Sequence, residues 1–299
     1  MTLMKHALVV ATVNRHETLT KLLDSLRELD PHPSELVISA PAESDIPPAA
    51  REPFPFPVVI ALGARGSSAQ RNKGVDALTT APDTVAFLDD DSVPRRDFFA
   101  RVERHFAEHP DSSAMTGRVV LEGTGRLPNL SDAEITEALE RSLRDDAAQS
   151  PGPAEPHNQL YGCNMVFRLE DFNRFRFDER LPLYSWLEDT DLARALMKAG
   201  RRIYRDPAVV IAHRRDASGG RQSHVRFGYS FVSNWAHLHQ KGHVDRRDLP
   251  GVVLVVGKNA VGSIWGPERE WRRLRLKGNL LALGDLLRGR VTPERILDL

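Results

Sequence analysis

Asp89, Asp90 and Asp91 follow directly on the apolar run TVAFL, residues 84–88. Side chains alternate along an extended chain, so Asp89 and Asp91 share a face and can turn two carboxylates toward one point. Adjacent carboxylates repel, and burial adds to the cost unless a cation offsets it. A hard divalent ion takes oxygen ligands and keeps positions open for phosphate oxygens, so the spacing suits a metal carrying phosphate. A solvated turn with a helix N-cap is the plainer use of the same residues. A phosphatase of the haloacid type also uses D-x-D, but after its first strand, and here that strand ends in Thr12-Val13-Asn14.

Three further groups could do chemistry. RGSSAQRNKG (65–74) offers Ser67 and Ser68 as helix N-caps, with Arg71, Asn72 and Lys73 one turn in. Such a helix start favours an anion, or is simply a solvated face. WLEDTDLARAL (186–196) sets Glu188, Asp189 and Asp191 at another helix start. The helix macrodipole alone accounts for one or two of them, while a carboxylate held at a cleft can also deprotonate a hydroxyl. His213 closes the run AVVIAH and reads either as a packed side chain or as a ligand for metal or phosphate.

These groups need a scaffold, and the first half of the chain supplies an α/β alternation. Ala7–Val13, ELVISA (35–40), PVVIAL (57–62) and TVAFL read as buried strands; after Asn14-Arg15-His16-Glu17 comes a helical pattern with Leu19, Leu22, Leu23, Leu26 and Leu29 on one face, and a second helix runs over about 67–78. Residues 41–56, rich in proline, read as irregular. The pattern predicts a mainly parallel sheet with right-handed crossovers, whose ligands sit beyond the carboxyl ends of the strands. The aspartates stand at such an end. Later elements are a helix over 95–108, a strand over 113–123, a helix capped by Ser131 and a loop over 147–158. A strand running into a turn follows over 160–172, then a helix over 186–200. Residues 201–215 read as a strand pair broken at Asp206-Pro207, and 221–242 as a helix. Two helices then lie outside the sheet, the second with Arg269, Arg272, Arg273, Arg275 and Lys277 ahead of a leucine-rich stretch. That basic amphipathic segment suits an anionic membrane surface, its own domain or a second subunit.

Forty-one basic residues balance forty-one acidic ones among 299, so no global field draws in nucleic acid. One cysteine, Cys163, excludes an internal disulfide and a multi-cysteine metal site. The N-terminal apolar run is too short for a signal peptide, and no segment reads as a membrane span. The expected location is cytoplasmic, with the inner face of the membrane left open.

Taken together, VVATVNRHETLTKLLDSL, SSAQRNKGVDAL, VAFLDDDSVP, GCNMVFRLEDF and WLEDTDLARALMKAG…IYRDPAVVIAH resemble, in order and spacing, the inverting family 2 glycosyltransferases of GT-A fold. The resemblance covers residues 5–240. It implies a GT-A domain over 1–242 with a helical extension over 243–299 for packing, dimerisation or membrane contact. The implied reaction moves a sugar from a nucleotide-diphosphate donor to an acceptor glycan, lipid or small natural product, with Mn²⁺ or Mg²⁺. The alternatives are a nucleotidyltransferase on a related fold, disfavoured because TVNRHETL lacks a glycine-rich loop, and a non-catalytic partner protein.

Position by position, the resemblance assigns the donor nucleotide-sugar to Thr12, Asn14, Arg15, Arg71, Lys73, Asp89 and Asp90. It assigns metal to Asp91 and His213, and the general base to Asp189 with Glu188 as fallback. Gly162, Cys163, Asn164 and Trp186 fall to the acceptor and donor sugar pocket. The family's acidic end to the second strand, which recognises uracil, is replaced here by VISAPAES. Base recognition then falls to Glu43, Asp45 or another group, which leaves dTDP and GDP open beside UDP. The 147–158 loop and the segment near 213–224 are expected to be mobile without donor and to order on binding.

Overall fold

The computed structural model describes residues 4–124, 129–216, 223–265 and 267–299. The first half follows the strand–helix alternation. β1 (His6–Ala11), β2 (Glu35–Ala40), β3 (Val58–Leu62) and β4 (Thr84–Asp89) are mutually parallel in the spatial order β3-β2-β1-β4. Their residues alternate between two apolar clusters, one on each face. Leu8, Val10, Leu36, Ile38, Ala86 and Leu88 lie in the first; Val9, Val37, Val85 and Phe87 lie in the second. Burial on both faces is what makes these strands read as continuous apolar runs. Helix α1 (His16–Arg27) covers the first face with Leu19, Leu22, Leu23 and Leu26. Helix α2 (Ser67–Asp76) packs on β1 and β2. Residues 41–56 hold only two short 3-10 turns, Glu43–Asp45 and Pro48–Arg51.

Beyond β4 the sheet becomes mixed. A short β5 (Ser92–Pro94) leads into α3 (Phe98–Glu108), followed by β6 (Ser112–Glu122) and α4 (Asp132–Ala148). Ser131 accepts from Glu134 N, and the Glu134 side chain accepts from Ser131 N, a complete capping box. β7 (Glu155–His157), β8 (Asn164–Arg168), α5 (Leu169–Phe175), α6 (Glu188–Lys198) and β9 (Arg202–His213) complete this part. Among the described residues nine strands form one sheet, with β8 inserted antiparallel between β4 and β6.

Two expectations change. Residues 202–213 form one strand rather than a broken pair. Asp206-Pro207 falls where the register on β6 jumps from Thr116↔Arg205 to Arg118↔Val210, and between the stretches paired with β7 and with β5. Proline meets no ladder partner in that gap, so the strand passes through it. The stretch 147–158 is also partly regular, because α4 runs to Ala148 and β7 pairs with Ile203–Arg205. β7 lies at an edge, which tolerates its Pro156. The companion segment near 213–224 includes 217–222, which lie outside the described residues.

Helix α7 (His224–Gln240) precedes α8 (Leu249–Gly262) and α9 (Arg269–Leu287), and α9 packs along α7. The two approach closely enough that a Cβ on Gly228 would sit 2.1 Å from Arg275 O, and one on Gly278 2.1 Å from Val225 O.

Candidate active site

The acid tip after β4 divides as strand alternation requires. Asp89 and Asp91 turn one way and, with His213 at the end of β9, each offer a ligand atom within 4.8 Å of the others. Asp90 turns the other way, where Thr12 Oγ1 donates to Oδ2 at 2.7 Å and Arg15 donates to Oδ1. Arg15 Nη2 also donates to Asp91 Oδ2 at 2.8 Å, so one guanidinium offsets two buried carboxylates. Burial pushes the Asp90 carboxyl up to about 7 against the pull of Arg15. Burial would raise Asp91 too, but bonds from His213 and Arg15 outweigh it and hold Asp91 well below the ordinary carboxylate range.

His213 Nε2 lies 3.2 Å from Asp91 Oδ1, and His213 Nδ1 lies 3.4 Å from Glu122 Oε1. Burial lowers the His213 pKa, yet Asp91 outweighs it and the net direction is up. Two carboxylates and an imidazole suit Mn²⁺, and Asp89, the most exposed of the three, leaves an open side for phosphate oxygens. The residues fit a divalent ion.

Arg71 connects this tip to the second acidic group. It is 2% exposed and lies over the Phe177 ring. Nη1 donates to Glu188 Oε1 at 2.7 Å, and Nη2 donates to Asp89 Oδ1 at 2.8 Å and to Gly162 O at 3.1 Å. Gly162 N in turn donates to Asp189 Oδ2 at 3.1 Å, and Thr190 N donates to Asp189 Oδ1 at 2.6 Å. Burial, with the charge of Asp189 beside it, pushes Glu188 up to about 8 despite Arg71. Burial raises Asp189 as well. The loop into α6 is strained: Leu183, Ser185 and Leu187 all have positive φ, at 59°, 51° and 76°. It is braced by α2, where Ser67 N donates to Leu183 O and Ser68 N to Ser185 Oγ. The N-cap of α2 is therefore Gly66, and these two N–H groups are spent on the chain rather than held for an anion.

The remaining expected residues are dispersed. Thr12 and Arg15 join Asp90 as described, and Asn14, at φ 53°, donates its backbone N–H to Asp45 Oδ1. Asp45 also accepts from Ala42 N, so its carboxylate serves the backbone, while Glu43 pairs with Arg51. Lys73 is exposed, two residues and some 200° around α2 from Arg71, on the face away from the acids. Cys163 lies in the core, where burial pushes its thiol well up. The Asn164 side chain is fully buried, and the main-chain carbonyl of Asn164 accepts from Thr116 Oγ1. Trp186 stacks against Phe231 of α7 and meets Phe227 at a tilt.

Glu122 and Tyr161 belong to the site but were not expected there. Tyr161 donates its hydroxyl to Glu122, and its ring meets His213 edge-on. Glu122 is opposite His213 in the β6–β9 ladder. The available signal was its place at a strand end, which says nothing until that pairing is known.

Comparison with known proteins bears on the family and the fold. Over 154 residues, half of the chain, it is 34% identical to the proteins named pre-mycofactocin glycosyltransferase from two Mycobacterium tuberculosis strains. The match spans 30% of the length of those relatives. Among solved structures, the mannosyltransferase PcManGT from Pyrobaculum calidifontis, in complex with GDP-Man and Mn²⁺, aligns over 96% of this chain and 88% of its own with a TM-score of 0.57. At 17% identity that likeness speaks for the GT-A fold. The family model for glycosyl transferase family 2 matches residues 7–175, more than half of the chain, and the chain belongs to that family.

Proposed function

We propose that this glycosyltransferase moves a sugar, with inversion, from a nucleotide-diphosphate donor to an acceptor nucleophile. The observation that carries the reading is Arg71, which joins a cation-binding acid tip on one side to a carboxylate at the start of α6 on the other. Asp89, Asp91 and His213 would hold Mn²⁺ or Mg²⁺, which supplies positive charge to a departing diphosphate. Arg15 fixes the Asp90–Asp91 pair in place.

Asp189 is the general base. Its two backbone donors hold the carboxylate in position, and burial makes it more basic than an ordinary aspartate. Glu188, engaged with Arg71, positions rather than abstracts. The acceptor is a glycan, a lipid-linked intermediate or a small natural product.

The test is calorimetric titration with UDP-, GDP-, dTDP- and CMP-sugars, with and without Mn²⁺. The GDP-mannose held by the fold neighbour makes that donor the first to try. At least one donor should bind with a heat that needs the cation and that Asp91→Ala abolishes. No heat from any nucleotide would favour a non-catalytic protein. Pyrophosphate release from a nucleoside triphosphate would favour nucleotidyl transfer.

A further inference from the structure

We propose that α8 and α9 form a docking surface that lies on an anionic lipid bilayer. The burial pattern of α8 is reversed. Val253, Leu254 and Val261 are 70%, 58% and 66% exposed, whereas Asn259 is buried and donates Nδ2 to Asn279 Oδ1 at 3.0 Å. Asn279, fully buried in α9, donates to Gly228 O of α7 at 2.7 Å. Polar groups and glycines thus fasten helix to helix while apolar side chains face out, an arrangement suited to surroundings that are not water.

Ile264 and Trp265 extend the patch just past α8, at 64% and 77% exposed. Tryptophan is the side chain that best suits a membrane–water boundary. An open groove of about 780 Å³ runs between α8 and the start of α9, lined by Val253, Leu254, Val261 and Trp265. On α9, Arg273, Leu274, Lys277, Leu280 and Leu281 recur at three- and four-residue spacing and are all exposed, so they form one outward stripe.

Charge selects the occupant. Residues 249–290 carry eight Lys and Arg against three Asp and Glu, in a chain that is neutral overall. Of the three acids, Asp285 is buried and bonded by Tyr229 and Arg290, and Glu268 pairs with Arg272. The outward face is therefore apolar and basic together, which matches acyl chains beneath anionic headgroups. Among the described residues no helix is long and apolar enough to cross a membrane, so the surface lies on a bilayer rather than spanning it.

Co-sedimentation of the full chain with vesicles decides the matter. Phosphatidylcholine vesicles containing phosphatidylglycerol should bind the protein at least about tenfold more tightly than phosphatidylcholine alone, with the difference shrinking as salt rises. The double variant Leu254→Glu, Trp265→Glu should lose about tenfold or more in vesicle binding while keeping the parental thermal midpoint, since both side chains are exposed. Lys258→Glu and Lys277→Glu should each lose about fivefold, on anionic vesicles only. Parental binding by the double variant, or no binding of the unaltered chain to anionic vesicles, overturns the proposal. So does a concentration-dependent dimer in buffer that the double variant abolishes, because a second copy would then cover the face.

Discussion

Arg71 Nη1 donates to Glu188 Oε1 at 2.7 Å, and the bond is buried. The same guanidinium reaches Asp89, so the tip of β4 and the start of α6 are held by one buried cation. The two acidic groups thereby share a rigid element, which suits the proposed reaction, whose two ends must be positioned together.

Replacing that guanidinium should be costly. Arg71→Met leaves the buried Glu188 carboxyl and the Asp89 carboxylate without their shared donor, and a buried polar group left unsatisfied costs about 1–3 kcal/mol. Urea unfolding measures it. Arg71→Lys keeps the charge but not the forked geometry, so its midpoint should fall between the two. A loss under about 1 kcal/mol in Arg71→Met would show that the acids are not held this way.

The two carboxylates at the start of α6 should separate in kinetics. Asp189→Asn removes the base but keeps an acceptor for Gly162 N, so kcat should fall about 10²–10⁴-fold with donor affinity little changed. Glu188→Gln should spare more of kcat, because its partner is Arg71 rather than the reacting hydroxyl. Transfer at the parental rate in Asp189→Asn would remove Asp189 from its role.

Stability should decline as pH rises from about 4.5 to about 8. Glu188 holds its proton up to about 8 in the folded protein, against an ordinary value of 4.5. Below the ordinary value both folded and unfolded chains carry the proton, and the contribution is fully present. Between the two values only the folded chain does, so each pH unit removes up to about 1.4 kcal/mol, and the loss is complete above about 8. Thermal midpoints across that window should fall in the parent and fall less in Glu188→Gln. Asp189, raised in the same direction, leaves a residual slope. Parallel slopes in the two proteins would show that Glu188 does not bind the proton.

Much of this was legible from sequence where the signal is local. The parallel strands announced themselves because residues such as Val9 and Val10 are buried on opposite faces, and Ser131 with Glu134 marked a helix start. The pairing of Asp89 with Asp91 followed from strand alternation. Partners distant in sequence were not legible. Arg15 reaches Asp90 across 75 residues and Arg71 reaches Glu188 across 117, so which carboxylate each cation serves depends on sheet order. The capping of α2 by Leu183 and Ser185 was hidden for the same reason: two serines at a helix start advertise a cap whether or not a strained loop already fills it.

The packing of α9 on α7 gives a last prediction, because glycines there do opposite work from those on the outer face. A Cβ at Gly278 would meet Val225 O at 2.1 Å and Tyr229 N at 2.7 Å, and backbone of a packed helix cannot rotate aside. Gly278→Ala should therefore destabilise the protein by about 1–3 kcal/mol as the helices are forced apart. Gly257, inside α8, has nothing within 4 Å of its Cβ position. There the added methyl only favours the helix, and Gly257→Ala should stabilise by about 0.5–1 kcal/mol. Denaturant midpoints of the two variants should move in opposite directions. If both rise, α9 does not lie against α7 as described; if both fall, Gly257 is covered by something the helix face meets in solution.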